Sequence, residues 1–300
     1  MTHRTRSRLI VFSILAGPFI FLCCLLLFWE AEPLPPVLPL PNPNGYNDLV
    51  RAGTMVSNEF GDYDELSLPG LRELVKKNTE AFQIARTGLQ QGCRVPLDYS
   101  VDQSKHLDEL AALKRLALAF VAEGRLAEKE NHPADATRFY LNTIDLGNES
   151  VRGGVIIDQL VGTAIEAIGT KNLQRLVRQL DAKSCRETAT ALESLDSQRQ
   201  TWNQVMQQER DWSRRTFPGI RYEFARLMMH NSLNKAYQNG EQKFENQQSK
   251  TRQLMVDFAA RAYELDKGHP PASLADLVPD YLKAVPQDPL TGTNMVYSPR

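Results

Sequence analysis

The chain has 300 residues, a formal net charge of −1, 42% hydrophobic residues and 24% charged residues. These proportions suit a folded protein of one or two domains and exclude a collagen, a disulfide miniprotein and a fully disordered chain. The near-neutral balance argues against a dedicated nucleic-acid binder, which is ordinarily basic.

The stretch from Leu9 to Trp29 holds 21 residues without a charge. As a helix it would be about 31 Å long, matching the hydrocarbon thickness of a bilayer. Pro18 is tolerated in such a span. Arg4, Arg6 and Arg8 precede it, Glu30 and Glu32 follow it, and no Lys or Arg returns until Arg51. The positive-inside rule therefore predicts a cytoplasmic tail at 1–8, a transmembrane helix at 9–29 and the rest outside the cytoplasm. Without the tail's three arginines the chain carries 32 basic against 36 acidic residues.

A cleaved leader is the alternative. Its apolar core would exceed the usual length of about 7–15 residues, and bulky Phe28 and Trp29 crowd the Glu30–Ala31 step. Acylation at Cys23 or Cys24 would need small residues before the cysteine, where Phe21 and Leu22 stand. A retained anchor is the expectation, and its implied location is a bacterial inner membrane. Residues 30–44 carry Pro33, Pro35, Pro36, Pro39, Pro41 and Pro43. Proline favours extended polyproline backbone, so 33–43 would make a stalk of about 34 Å. A spacer lifting the domain off the membrane is favoured over a ligand for a proline-recognition domain.

From 45 to 258 the pattern predicts a helical domain. Leu71, Leu74, Val75, Ala81, Ile84 and Ala85 recur at helical spacing, with Ser67 as a cap. A second long helix carries Leu107 to Val121 and ends near Gly124 or beyond. Asn131-His132-Pro133 turns the chain into a third helix, with Pro133 at its first position. This pair resembles a tetratricopeptide hairpin, but no 34-residue period accompanies it. The stretch from Gly154 to Leu180 is the most apolar helix of the domain, and Asp158 and Glu166 exclude it as a second span. Gly162 and Gly169 suggest a closely packed neighbour. Ser184 with Glu187 predicts a capping box. From Gln198 to Lys250 the chain turns polar, broken at Pro218-Gly219. A last helix is expected from about Ser249 to Asp266, ended by Gly268.

The segment 259–300 contains Gly268, Pro270-Pro271, Val278-Pro279-Asp280-Tyr281-Leu282, Val285-Pro286, Asp288-Pro289 and Thr291-Gly292. It resembles the C-terminal head region of type II secretion pseudopilins. The N-terminus departs from that family, lacking a glutamate in the span, and the proline stalk interrupts the head helix. Ser273 with Asp276 predicts a capping box, and Thr291-Gly292 a small β-hairpin. The whole layout, with Gly45-Tyr46-Asn47-Asp48-Leu49-Val50 and Cys93 to Tyr99, also resembles uncharacterised membrane-anchored helical proteins of planctomycete bacteria. That likeness implies no activity.

No nucleophile elbow, phosphate loop, dinucleotide, zinc-protease, EF-hand or Cys-x-x-Cys pattern occurs, so no cofactor or metal site is expected. His106 and His230 stand alone in sequence, while His132 and His269 precede prolines. Asp62, Asp64 and Glu65 read as a solvated turn. Convergence of any of them with His106 or His230 would instead favour a hydrolase. Arg210, Arg214, Arg215, Arg221 and Arg226, interleaved with Trp212, Phe217 and Tyr222, suit an anionic surface, or else form an ion-paired face with Glu209, Asp211 and Glu223. Cys93 and Cys185 either pair across a loop of about 90 residues or remain buried thiols; both readings stay open. The expectation is an all-α chain with a transmembrane helix, a stalk, helical hairpins and a small C-terminal β-hairpin. Its expected function is that of an extracytoplasmic scaffold with a protein partner in the envelope. A secretion or pilus-like component and an envelope hydrolase are the alternatives.

Overall fold

The first helix starts where the prolines end. The computed structural model describes residues 34–57, 66–217 and 219–297; the side chains of 220–227, 229 and 230 also lie outside that description. The stretch from Leu9 to Trp29 and the acidic run Asp62, Asp64 and Glu65 are therefore outside the described residues. Asn44 caps α1 (Gly45–Met55). Its side-chain oxygen accepts from the N–H groups of Tyr46 at 3.3 Å and Arg94 at 3.0 Å, tying the helix start to the 93–95 segment.

Ser67 caps α2 (Leu68–Lys77) as its sequence predicts, accepting from Gly70 N–H at 3.3 Å. The apolar repeat from Leu71 to Ala85 is not one helix. It divides at Asn78 into α2 and α3 (Thr79–Leu89). Asn78 is buried there, donating to Leu74 O at 2.9 Å and accepting from Ser57 N–H at 3.2 Å. The long hairpin follows as α4 (Ser104–Lys129) and α5 (Pro133–Glu149), with Asn131 at φ 60° in the turn.

Next come α6 (Ile156–Leu173), a short 3-10 turn (Gln174–Leu176) and α7 (Ala182–Ser197). The predicted Ser184–Glu187 box does not open α7. Asp181 lies three residues earlier and caps it instead, accepting from Ser184 N–H at 2.7 Å. After α8 (Trp202–Thr216) the chain enters α9 (Ile220–Lys267), a single helix of 48 residues. The polar stretch before Ser249 thus continues the last helix. Its only breaker, Gly240, sits under the Trp202 indole, where an added Cβ would meet the ring at 2.9 Å. Gly268, at φ 78°, ends the helix as predicted.

The chain is mostly helical, with no sheet among the described residues, and no described helix is long and apolar enough to cross a membrane. Two apolar clusters form its centre. One joins α1, α3 and α4 through Tyr46, Leu49, Phe82, Leu113 and Phe120. The other joins α5, α7, the last third of α9 and the C-terminal segment. The α5–α6 contact stands between them. There a Cβ on Gly162 would lie 2.4 Å from Gly147 O, so only glycine permits this approach.

The C-terminal segment packs as its apolar residues require. Leu274, Leu277, Tyr281 and Leu282 are buried in the second cluster with Phe258 and Ala262, while Leu265 stays exposed. The Tyr281 hydroxyl donates to Asp266 at 3.0 Å, and Lys283 N–H donates to Glu193 at 2.9 Å, so the segment grips both α9 and α7. Asp276 accepts from the N–H of Ser273 at 3.0 Å. Beyond it, an isolated antiparallel bridge joins Gln287 and Asn294.

Candidate functional site

The two carboxylates that interrupt the apolar run of α6 are its most buried charges: Asp158 is 0% and Glu166 1% exposed. Ile157 beside them is 43% exposed. The helix therefore turns a polar edge inward. Glu166 meets Arg199, from the α7–α8 connection, through both guanidinium nitrogens; Arg199 Nη1 lies 2.6 Å from Glu166 Oε2. Thr251 of α9 donates to Glu166 Oε1 at 2.6 Å. Asp196 binds Arg199 at 3.4 Å and Arg252 at 2.8 Å, and Arg252 donates onward to Gln287 O at 2.6 Å. Burial works against the Arg199 charge, but Glu166 and Asp196 outweigh it and raise its pKa. This chain of charges locks α6, α7, α9 and the C-terminal turn in one arrangement.

Asp158 anchors a second group. Its Oδ2 accepts from Val155 N–H at 2.8 Å, and Glu209 of α8 accepts from Ile156 N–H at 3.0 Å. Two carboxylates thus satisfy donors at the positive end of α6. Burial raises the pKa of Glu209 despite its hydrogen bond. Asp158 Oδ1 lies 2.8 Å from His106 Nε2, and His106 Nδ1 lies 3.5 Å from Glu109. Glu109 also accepts from the Tyr46 hydroxyl at 3.0 Å. Burial opposes protonation of His106, yet Asp158 and Glu109 prevail and its pKa is raised. Burial, with Glu109 and Asp158 beside it, pushes the Tyr46 hydroxyl far up.

The sequence placed His106 alone, but the fold gives it Asp158 and Glu109. A bracketed imidazole can hold a proton. Among the described residues its hydrogen-bond and ion-pair partners are the two carboxylates, Asp158 and Glu109. Asp62, Asp64 and Glu65 and the side chain of His230 lie outside the described residues. Among the described residues no group of three or more His, Cys, Asp or Glu is placed to hold a metal ion.

Cys93 and Cys185 do not pair. Cys93 lies in the first cluster and Cys185 in the second, each a buried free thiol. Cys93 Sγ is 3.7 Å from Gly88 O and Cys185 Sγ 3.8 Å from Val177 O, each thiol using local backbone acceptors. Burial pushes Cys93 up to about 12 and Cys185 up to about 11, so neither is a nucleophilic thiolate near neutral pH.

No protein-family model, curated protein or solved structure matches this chain.

In the described part of the arginine stretch, two of the expected acidic partners are engaged elsewhere. Glu209 turns inward to α6, and Asp211 accepts from the Gln207 amide at 3.0 Å. Arg210 donates to Gln207 at 2.8 Å. Arg215 donates to the carbonyl of Pro35 and stacks over Tyr99 at 5.6 Å. Neither Arg210 nor Arg215 forms an ion pair among the described residues. Arg214 lies on the same helix, and the side chain of Arg221 is outside those described.

Arg215 brings the stalk onto the domain. Residues 35–38 and 40 form one wall of a groove of about 580 Å³, with Arg94, Tyr99, Asp211 and Arg215 opposite. Residues 34–41 form neither helix nor strand, and this part lies against α8 rather than standing free. A polar groove of about 810 Å³ continues past Arg94 toward Gln91 and Gln204.

Proposed function

We propose that the chain is a membrane-anchored, extracytoplasmic helical scaffold that presents a rigid surface to a protein partner in the bacterial envelope. The uncharged stretch from Leu9 to Trp29, basic before and acidic after, carries this reading. The domain's packing agrees with it. Glu166 is held by Arg199 and Asp158 by His106, and these buried pairs brace its helices against one another, as a rigid surface requires. The reading includes the small C-terminal β-hairpin, supported by the bridge from Gln287 to Asn294.

An alkaline-phosphatase fusion after Arg300 tests the topology. Activity is expected, and a fusion active only in the cytoplasm overturns the anchored reading. Purification from detergent extracts with mass spectrometry then tests the scaffold role. A second reading, a component of a type II secretion or pilus-like system, draws on the resemblance of 259–300 to pseudopilin heads. Co-purifying secretion machinery would replace the first reading with it.

A further inference from the structure

The place where the anchor joins the domain decides which face of the domain meets the membrane. Six residue steps separate Trp29 from Pro35, which span at most about 20 Å even when extended. Pro35 is held by Arg215 on the last turn of α8. The end of α8 is therefore tethered close to the bilayer, and the stalk cannot hold it off by its full length.

That end has the composition of an interfacial surface. Phe217 is 39% and Val101 73% exposed. Arg210 is exposed, and Tyr99 lies under Arg215. The Trp212 indole N–H donates to Asp98 O at 2.8 Å, fastening the 98–101 turn to α8. The nearby acids Asp98 and Asp102 stay charged, their pKa values lowered by local hydrogen bonds. Asp98 accepts from Ser100 N–H at 2.8 Å and Asp102 from Ser104 N–H at 3.0 Å. Exposed apolar and aromatic groups beside arginines suit the headgroup layer, where rings sit and guanidinium groups meet phosphate.

We propose that the α8 end and the 98–101 turn rest on anionic phospholipid headgroups of the bilayer that carries the anchor. The proposal rests on the anchored reading above. Arg252, which holds the C-terminal turn, is 32 residues along α9 from Ile220, or about 48 Å of helix, so that turn lies far along α9 from the α8 end.

The test uses the full chain in nanodiscs of phosphatidylcholine alone or mixed with phosphatidylglycerol. Each disc carries a trace of phospholipid with a photoactivatable headgroup, and adducts are mapped by mass spectrometry. Adducts are expected in peptides covering 97–101 and 210–217 and not in those covering 286–295. Arg210→Gln should lower the yield roughly fivefold in phosphatidylglycerol discs and little in phosphatidylcholine discs. A chain that enters the discs but labels evenly, or only at 286–295, overturns the proposal alone. Equal yields in the two lipids overturn the headgroup assignment. A chain that does not enter the discs overturns the anchored reading and this proposal with it.

Discussion

Glu166 and Arg199 form a two-pronged ion pair in the interior, their side chains 1% and 4% exposed. The pair joins the middle of α6 to the connection between α7 and α8. Thr251 supplies a further hydrogen bond from α9. Losing one partner leaves the other charged and buried, which costs about 3–5 kcal/mol. Glu166→Ala should therefore destabilise the full chain by that amount in urea denaturation. Glu166→Leu combined with Arg199→Met should cost less than either single change. A double variant as unstable as the sum of the singles would show that the pair is not a coupled unit.

Asp145 should make stability fall with rising pH. Its carboxyl forms no hydrogen bond or ion pair among the described residues, and burial, then the Glu149 charge, pushes it up to about 7. The folded chain thus holds this proton more tightly than the unfolded chain, whose value is about 3.9. Stability from this group is full below about pH 4 and is lost as pH rises through about 7. Asp145→Asn should stabilise the protein at pH 8 by roughly 2–4 kcal/mol and change little at pH 4. Equal shifts at both pH values would contradict this account.

His106 has the opposite charge and its own window. Its pKa is raised by Asp158 and Glu109 against burial. Its contribution is present below about 6.5, the unfolded value, and is lost as pH rises through the folded value. His106→Gln should cost on the order of 1–3 kcal/mol at pH 6 and less at pH 9, read from urea midpoints. A cost independent of pH would mean that the imidazole is packing, not proton holding.

Gly162→Ala should cost about 1–3 kcal/mol, because the new methyl would enter Gly147 O of α5. Gly92→Ala is the control, since its nearest neighbour is the Pro41 ring at 3.4 Å. A thermal melt of both variants suffices, and equal melting temperatures would sink the close-packing argument.

Leu277 is fully buried between the C-terminal segment and α9. Leu277→Ala should cost about 2–5 kcal/mol, and deletion of 270–300 should expose the Phe258 face and lower solubility. Unchanged melting after deletion would make the segment an appendage.

Local rules were enough to place the ends of several elements. Ser67, Pro133 and Gly268 act on their own backbone, so their caps and stops could be read without a fold. The apolar spacing of α4 and α5 likewise specified the hairpin, and Gly162 signalled a close neighbour. Asn78 and the unbroken α9 depend on partners outside the local sequence, whereas Asp181 caps α7 by a local bond that competes with the Ser184–Glu187 pattern. Asn78 splits a regular repeat through its bond from Ser57, and the Trp202 ring covers Gly240 inside a polar helix.

The polar interior was only half legible. Asp158 and Glu166 lie eight residues apart, so they share a helix face, and that spacing was visible. That the face points inward was not, because a charge is buried only where a distant chain segment neutralises it. Arg199, 33 residues beyond Glu166, and His106, 52 residues before Asp158, are such segments. The same holds for the stalk. Its prolines exclude regular helix, while Arg215, 180 residues away, determines where it lies. Sequence by itself set the helical class, several caps and the uncharged stretch, because those depend on neighbours along the chain. Tertiary structure alone decided which charges meet, that the two cysteines do not pair, and which end of the domain adjoins the stalk, because those depend on neighbours in space.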